Sequence, residues 1–412
     1  MTKPGEPVED WATDYDIFDD RYVERPEEIW SDLRQSCPVA HTDRLEGSWL
    51  PTRMEDIRAI AKNVTLFSSR EVGVVPPLPS EGRQEEYADL PAPPIQVDPP
   101  VHTWSRRLIL PFFSPQAVAG YEPDTRALCR SLAERLEDRG EADAAADYAQ
   151  QIPVRVIARL LGVPEEMSDT FTGWVRSLLE FAGKDRERSR AAREEIFAYL
   201  HGEMMARMRQ EEPGDDVITA LLEASKENEE VTQEHILGTC FLLLVAGIDT
   251  TWSGIGSSLW HLATHADDRR RLVAEPDLIP TAIEELLRAY SPVTMARIVT
   301  EDVEFEGCPM KEGDRVLLAF PAANRDPEAF DNADEVILDR QRNRHVAFGV
   351  GIHRCAGSNL ARMELRVALE EWLRAIPEFE LDTSKPMTWA GGQVRGPRQL
   401  PVVFPTRGGE SR

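Results

Sequence analysis

The residue most suited to chemistry is Cys355, which lies in a glycine-rich run before an apolar periodic segment that predicts a helix from about Ala356. A helix N-terminus carries partial positive charge, which lowers the pKa of a thiol and stabilises a thiolate. Glycines leave space for a flat ligand against the backbone, and three flank the thiol: Gly349, Gly351 and Gly357. The pattern predicts a thiolate that could be an axial ligand to iron. Without the rest of the run, Cys355 would be better interpreted as a buried structural cysteine.

A second unusual stretch lies in the middle of a long apolar segment. Residues 232–265 predict a helix about 50 Å long, which Thr232 can cap. Residues 246–251 place a glycine, an acid and two threonines where helix formers are expected. Residues that are unfavourable in a helix interior indicate a functional site when they lie inside a buried helix. The Thr250 hydroxyl could interrupt the helical hydrogen bonds and open a groove. The alternative is a tolerated polar kink.

A third motif is a charged pair on a predicted helix. Glu285 and Arg288 are three residues apart and can form a bidentate ion pair on one helix face. Alone, such a pair is weak evidence, because many surface helices carry one.

Together these stretches resemble the cytochromes P-450. Residues 348–357 are similar to the haem-binding signature of that family, and residues 246–251 to its oxygen-binding groove. Glu285 and Arg288 precede the cysteine loop as in the family, and the similarity extends over residues 98–400. The resemblance implies a mainly α fold with a small β part. Haem b would lie between the long central helix and the helix after the cysteine loop.

The resemblance also implies roles for single residues. Asp249 and Thr250 would deliver protons to dioxygen, the co-substrate, and Cys355 would ligate the iron. Three residues would brace the cysteine loop as structural scaffolding: Glu285, Arg288 and Arg340. The other cofactor-binding residues would be the propionate donors and the residues beside the haem: His102, Arg106, Arg297, His353, Ala246, Phe348 and Gly349.

Matched positions further imply a substrate pocket whose mostly aliphatic lining predicts a hydrophobic small molecule as substrate. Its residues would be Val245, Val293, Thr294, Met295, Gln393 and Val394, with Val72, Val74, Val75 and Leu78 from a proline-rich loop. Beside them, Arg395 could meet a substrate carboxylate or could equally face solvent.

We expect residues 1–412 to form one domain, with a helix-rich part at about 100–290 and small sheet parts near 45–55 and 298–405. Residues 73–100 contain eight prolines and predict a long loop, a feature that is usually functional. Helices at 168–182 and 185–209, joined at Gly183, could form a lid or an ordinary hairpin. No flavin or iron–sulfur domain follows the cysteine, so we expect no fused reductase.

Composition limits the partners. The net charge of −26 disfavours nucleic acid. Five scattered cysteines fit a reducing cytoplasm, and the acidic first twenty residues do not resemble a signal peptide. The longest uninterrupted apolar run, residues 240–248, is too short to span a membrane. We therefore expect a cytoplasmic monomer without membrane attachment.

One segment opposes the overall charge. Residues 340–366 contain six arginines and one acid, Glu364. These arginines could pair with haem propionates and structural acids, or they could dock an acidic ferredoxin-type electron donor that has its own reductase. Arg344 and Arg362 are the candidates for docking.

The function that follows from the resemblance is a haem-thiolate monooxygenase. It would activate dioxygen with two electrons from a separate redox partner and oxidise a hydrophobic small molecule. One alternative is a peroxygenase, but such relatives lack the acid–alcohol pair that Asp249 and Thr250 provide. Another is a haem-thiolate sensor, which would need neither a proton relay nor a docking surface. Product formation that depends on a reductant distinguishes these alternatives.

Overall fold

The structure is a computed structural model that describes residues 6–78, 87, 90–210 and 214–406. Helices make up most of it. In chain order, α1 to α15 are Trp11–Asp14, Asp20–Glu24, Pro26–Ser36, Met54–Lys62, Val101–Ile109, Pro115–Glu134, Gln151–Leu161, Ser168–Glu180, Arg186–Arg207, Val217–Glu227, Gln233–Thr264, Ala266–Ala274, Ile279–Ala289, Phe320–Ala323 and Ser358–Ala375.

The strands are short. In chain order, β1 to β12 are Val39–Thr42, Ser48–Pro51, Phe67–Ser68, Glu141–Asp143, Thr294–Val299, Val303–Phe305, Cys308–Met310, Arg315–Ala319, Glu380–Leu381, Thr388–Ala390, Gly396–Gln399 and Pro401–Val403. The largest sheet has the order β1-β2-β8-β5-β3, and β5 runs antiparallel to β8 with Thr294 opposite Ala319. The smaller sheets are β4-β12-β9, β10-β11 and β6-β7.

Helix α11 is the central element of the fold. Thr232 caps it, because its hydroxyl accepts a hydrogen bond of 3.2 Å from the His235 N–H. The helix packs against α7, α8, α9, α15 and β11. By length and composition it could cross a membrane, but 72% of its most apolar window is buried inside the protein. It is therefore a core helix.

The predicted fold class, mainly α with a small β part, is confirmed. The long helix and the helix pair α8–α9 lie close to their predicted bounds, whereas α15 begins at Ser358, two residues after the predicted start. Strands β1, β3 and β4 lie outside the predicted sheet regions. In the predicted loop, the described residues form no helix or strand before Pro100, and residues 79–86 and 88–89 lie outside the described part.

Candidate functional site

Two adjoining cavities lie beside α11. The cysteine cavity, about 240 Å³, is lined by Cys355, by Phe348 and Gly349 of its loop, and by residues of α11. The outer cavity, about 710 Å³, is lined by part of the same helix segment and extends to the proline-rich loop and the α8–α9 pair. Six residues line both cavities and form a shared wall: Ile95, Leu242, Ala246, Thr250, Val293 and Met295.

The loop that carries Cys355 is held by its own backbone. The Cys355 N–H donates to the Phe348 carbonyl at 2.8 Å, and the Gly349 N–H to Val346 at 2.8 Å. Gly351 has φ +80°, and a Cβ there would lie 2.9 Å from the Ala61 carbonyl oxygen, so this position requires glycine.

The pKa of Cys355 differs from the expectation at a helix start. Burial raises it, and the N–H of Gly357 and nearby arginines only partly oppose that effect. The expected lowering was wrong because the helix begins three residues beyond the thiol and desolvation is the larger effect. Cys355 is accessible from the cavity, and a metal cation at its sulfur would supply the positive charge that a thiolate needs in this desolvated position.

The four predicted propionate donors lie together beside the cysteine cavity. Arg106, Arg297 and His353 line it, and the rings of His102 and His353 are 4.3 Å apart. Within the described part of the chain, Nε2 of both histidines and Nε of Arg297 are buried without a hydrogen-bond partner. Burial and then Arg297 lower the pKa of His353 to about 3. Buried donors normally have partners, so this cluster fits a ligand that carries carboxylates, as haem does.

The polar segment of α11 does not break the helix. Thr250 lines both cavities, and its hydroxyl donates to the Ala246 carbonyl at 2.9 Å while α11 continues without interruption. The expected opening of the hydrogen-bond ladder was wrong, because the hydroxyl adds a bond to a carbonyl that stays helical. A Cβ at Gly247 would lie 2.3 Å from Cδ1 of Ile157, so this glycine lets α7 pack closely against α11.

Asp249 points away from the cavities. It is fully buried, is not among the residues that line either cavity, and places Oδ1 at 2.7 Å from an amino group of Arg398. Burial raises the pKa of Asp249 to about 6, although Arg398 opposes the increase. Arg398 was absent from the sequence-based site, because nothing in the local pattern of β11 identifies its distant partner.

The predicted structural triad is assembled. Glu285 accepts two hydrogen bonds of 2.8 Å from Arg288 and lies 2.9 Å from Nε of Arg340. Glu285 and Arg288 are fully buried. Burial alone would raise the pKa of Glu285, but the hydrogen bonds from Arg288 and the Ile337 N–H hold it below its usual value. Asn343, which sequence reasoning missed, donates to the same carboxylate at 3.1 Å.

A second ionic cluster corrects the expectation for Arg362. Its guanidinium binds Glu284 at 2.5 and 2.8 Å, and His345 reaches the same carboxylate at 3.0 Å. The guanidinium also lies 4.4 Å from the ring centre of Phe348. Arg362 therefore braces the cysteine loop and is not an unpaired docking residue.

The other arginines of residues 340–366 divide into two groups. Arg366 pairs with Glu122 and Glu370, and Arg340 belongs to the triad. Arg342, Arg344 and Arg354 are exposed. The local positive charge is therefore partly structural, and three arginines remain at the surface.

Most of the predicted pocket residues line the outer cavity: Val72, Val74, Val75, Leu78, Val245, Val293, Met295, Gln393 and Val394. Thr294 is not on the lining of either cavity, because it is buried in β5, where its N–H donates to Gln393. Arg395 neither enters the pocket nor meets a carboxylate. Its guanidinium stacks 4.4 Å from the Trp389 ring and donates to the Val23 carbonyl.

Comparisons with known proteins identify the family. The family described as Cytochrome P450 matches residues 146–389. A hydroxylase/epoxidase for mycinamicin IV from Micromonospora griseorubida is 35% identical over 91% of this chain and 94% of its own length. A vitamin D(3) 25-hydroxylase from Pseudonocardia autotrophica is 34% identical over 95% and 97%.

A solved structure agrees. CYP109E1 from Bacillus megaterium in complex with testosterone superposes with a TM-score of 0.84 at 30% identity, covering 92% of this chain and 98% of that chain. The fold and these relatives thus define a haem monooxygenase that acts on small molecules. The chain belongs to the cytochrome P450 family.

Proposed function

We propose that this protein binds haem b in the cysteine cavity, where the Cys355 thiolate would hold the iron. The observation that carries this proposal is the group of unpaired donors on His102, His353 and Arg297, because two propionates would satisfy them. Arg106 completes the set, although it also donates to the Arg354 carbonyl. Phe348, Gly349 and Ala246 line the same cavity and would contact the macrocycle.

When bound, haem supplies the iron at which dioxygen is activated with two electrons. The protein's own residues control protons and water there. Thr250 lines the cavity, and its hydroxyl, which donates to the Ala246 carbonyl in this structure, would have to turn from that carbonyl to pass a proton toward the cavity. Asp249, the next residue toward the N-terminus, holds a carboxyl group out of solvent. The small side chain of Ala246 leaves space for the cofactor beside α11. We propose Asp249 and Thr250 as the proton-delivery pair.

We propose a bulky hydrophobic small molecule as substrate. The outer cavity is large, and it adjoins the cysteine cavity along the shared wall. Apolar residues make up most of its lining, and the charged residues on it are Arg70, Glu71, Arg186, Arg190, Arg193, Glu194 and Arg315. Of the three relatives named above, one is a vitamin D(3) 25-hydroxylase, one is seen in complex with testosterone, and one is a mycinamicin IV hydroxylase/epoxidase. Val74, Val245, Val293, Met295, Gln393 and Val394 would contact the substrate.

We further propose that the protein is a single-domain cytoplasmic monomer that receives electrons from a ferredoxin-type donor with its own reductase. The exposed arginines 342, 344 and 354 near the cysteine loop, within a chain of net charge −26, support an acidic donor.

The experiment combines binding and turnover. Hydrophobic compounds are screened for a shift of the ferric haem spectrum from low to high spin, and compounds that bind are incubated with reductase, ferredoxin and NAD(P)H. We expect an oxygenated product only with reductant and dioxygen. Product formed with peroxide alone would favour a peroxygenase, and binding without any product would favour a sensor.

A further inference from the structure

Arg398 joins three separate elements at one point in the core. It lies on β11 and is only 7% exposed. One amino group lies 2.7 Å from Oδ1 of Asp249 of α11, an ion pair without hydrogen-bond geometry. Nε donates to Glu180, the last residue of α8. The guanidinium therefore serves two carboxylates that belong to different helices.

Neighbouring side chains fix the guanidinium in this position. Its other amino group donates to the Ser253 hydroxyl at 3.1 Å, and its Cζ lies 4.2 Å from the ring centre of Trp252. Arg176, one turn before Glu180, pairs with that carboxylate at 3.2 Å. The charged groups that act on Asp249 are thus Arg398, Glu180 and Arg176, from β11 and α8.

We propose that Arg398 is a positioning residue that holds the Asp249 carboxylate outside the cysteine cavity, and that Glu180 competes with Asp249 for the Arg398 guanidinium. This inference rests on the proposed role of Asp249 in proton delivery. It adds that Arg398 restrains Asp249, and that the strength of this ion pair depends on the position of α8.

The competition connects proton delivery to the substrate pocket. Leu178 and Leu179, immediately before Glu180, line the outer cavity, so a substrate there contacts the end of α8 directly. Nε of Arg398 already donates to Glu180 in this structure, so a displacement of α8 that withdraws Glu180 strengthens the interaction of Arg398 with Asp249, and the return of Glu180 weakens it. The carboxylate of Asp249 can approach Thr250 only when the hold on it is weakened.

The test uses two variants with opposite predicted effects on the same carboxyl group. In the haem-loaded, substrate-free enzyme, infrared difference spectroscopy follows the carboxylic acid band of Asp249 during acidification, with D249N assigning the band. Arg398→Gln removes a cation, so Asp249 should protonate at higher pH, by at least about one pH unit. Glu180→Gln removes an anion and should move protonation to lower pH.

Two further variants act as controls. Arg398→Lys keeps the charge but loses the planar fork, so it should restore part of the shift. Lys385→Gln removes an exposed cation from the same C-terminal region, where Lys385 pairs with Glu141, and it should leave the Asp249 band unchanged.

The outcomes separate this inference from the proposed function. If the two variants shift the protonation of Asp249 in opposite directions, and the acid limb of the pH–turnover profile shifts in the same directions, both the positioning role of Arg398 and the proposed function are supported. Opposite shifts without any change in the turnover profile would keep the role of Arg398 and overturn the proton-delivery role of Asp249. If the band does not move in Arg398→Gln, or if Glu180→Gln moves it to higher pH, the positioning role is wrong. Should Arg398→Gln fail to fold, Glu180→Gln alone still decides the direction.

Discussion

The cysteine wall of the cavity (residues 348–357) and the helix wall (residues 246–251) differ in how their polar groups are held. Behind the cysteine wall, two ionic clusters brace the loop, and each carboxylate has several donors from fixed positions. On the helix wall, the acid has one guanidinium, which also serves Glu180.

This difference matches what each wall has to do. A metal ligand must stay in one place, and redundant ion pairs keep the cysteine loop fixed even if one contact lengthens. A group that delivers protons must change its contacts during each turnover, which a single shared partner permits. The variants below test the two walls, from the largest expected effect to the smallest.

Removing the thiol should have the largest effect. Cys355→His should abolish the far-red Soret band of the reduced carbonyl complex, because that band requires thiolate ligation. Cys37→Ala changes a half-buried cysteine elsewhere and should retain the band. If Cys355→His keeps the band, another residue ligates the iron.

Removing Glu285 from the structural triad should destabilise the cysteine loop. Glu285→Ala leaves the buried Arg288 without its carboxylate partner and should cost roughly 3–5 kcal/mol, giving haem-poor or insoluble protein. Chemical denaturation and haem content measure the effect. The control is Glu223→Ala, which removes an exposed pair with Lys226 at the same spacing and should leave stability nearly unchanged. A stable, fully loaded Glu285→Ala enzyme would show that the brace is dispensable.

On the helix wall, Thr250→Ala should leave substrate binding intact but reduce the product formed per electron by about tenfold or more, because a proton donor is lost. The electrons should appear as peroxide. Thr264→Ala removes the same type of hydroxyl-to-carbonyl bond near the end of α11 and should not change coupling. Unchanged coupling in Thr250→Ala would mean that water alone supplies the proton path.

The smallest effect concerns the surface behind the cysteine wall. Arg344→Glu should slow reduction by the ferredoxin a few-fold at low ionic strength and have little effect at high salt, because exposed charges are screened. Stopped-flow reduction measures it. Arg209→Glu, an exposed charge just beyond α9, should be without effect.

Reversal of Arg362 should behave differently from reversal of Arg344. A carboxylate at position 362 would face Glu284, so we expect lost haem and lower stability rather than a change in the salt dependence of reduction. Equal behaviour of the two variants would contradict the separation between bracing and exposed arginines.

The same two walls show how far the sequence could predict the site. The cysteine loop is contiguous, and the Glu285–Arg288 pair lies on one helical turn, so both could be predicted from local spacing. Arg398 could not, because the contact between β11 and α11 arises only from tertiary packing. Arg362 was misassigned for a related reason: its charge is visible in the sequence, but its partner Glu284 lies on another helix.

The local hydrogen bonding and the pKa of site residues were predicted less well than the choice of the residues themselves. A threonine in mid-helix could break the ladder or bond back to the preceding turn, and only packing around Thr250 decides between them. The pKa of Cys355 likewise depends on burial depth, which the helix-start pattern does not report.

The shared wall has a consequence for how new substrate preferences could evolve. A substitution at Ala246, Val293 or Met295 alters the space for the cofactor and for the substrate together, so most changes there would impair the enzyme. Positions that line only the outer cavity, such as Val74, Leu179 and Val394, can vary without touching the cysteine cavity. Libraries restricted to those positions should therefore yield altered selectivity while retaining haem loading, and divergence among natural relatives should concentrate there.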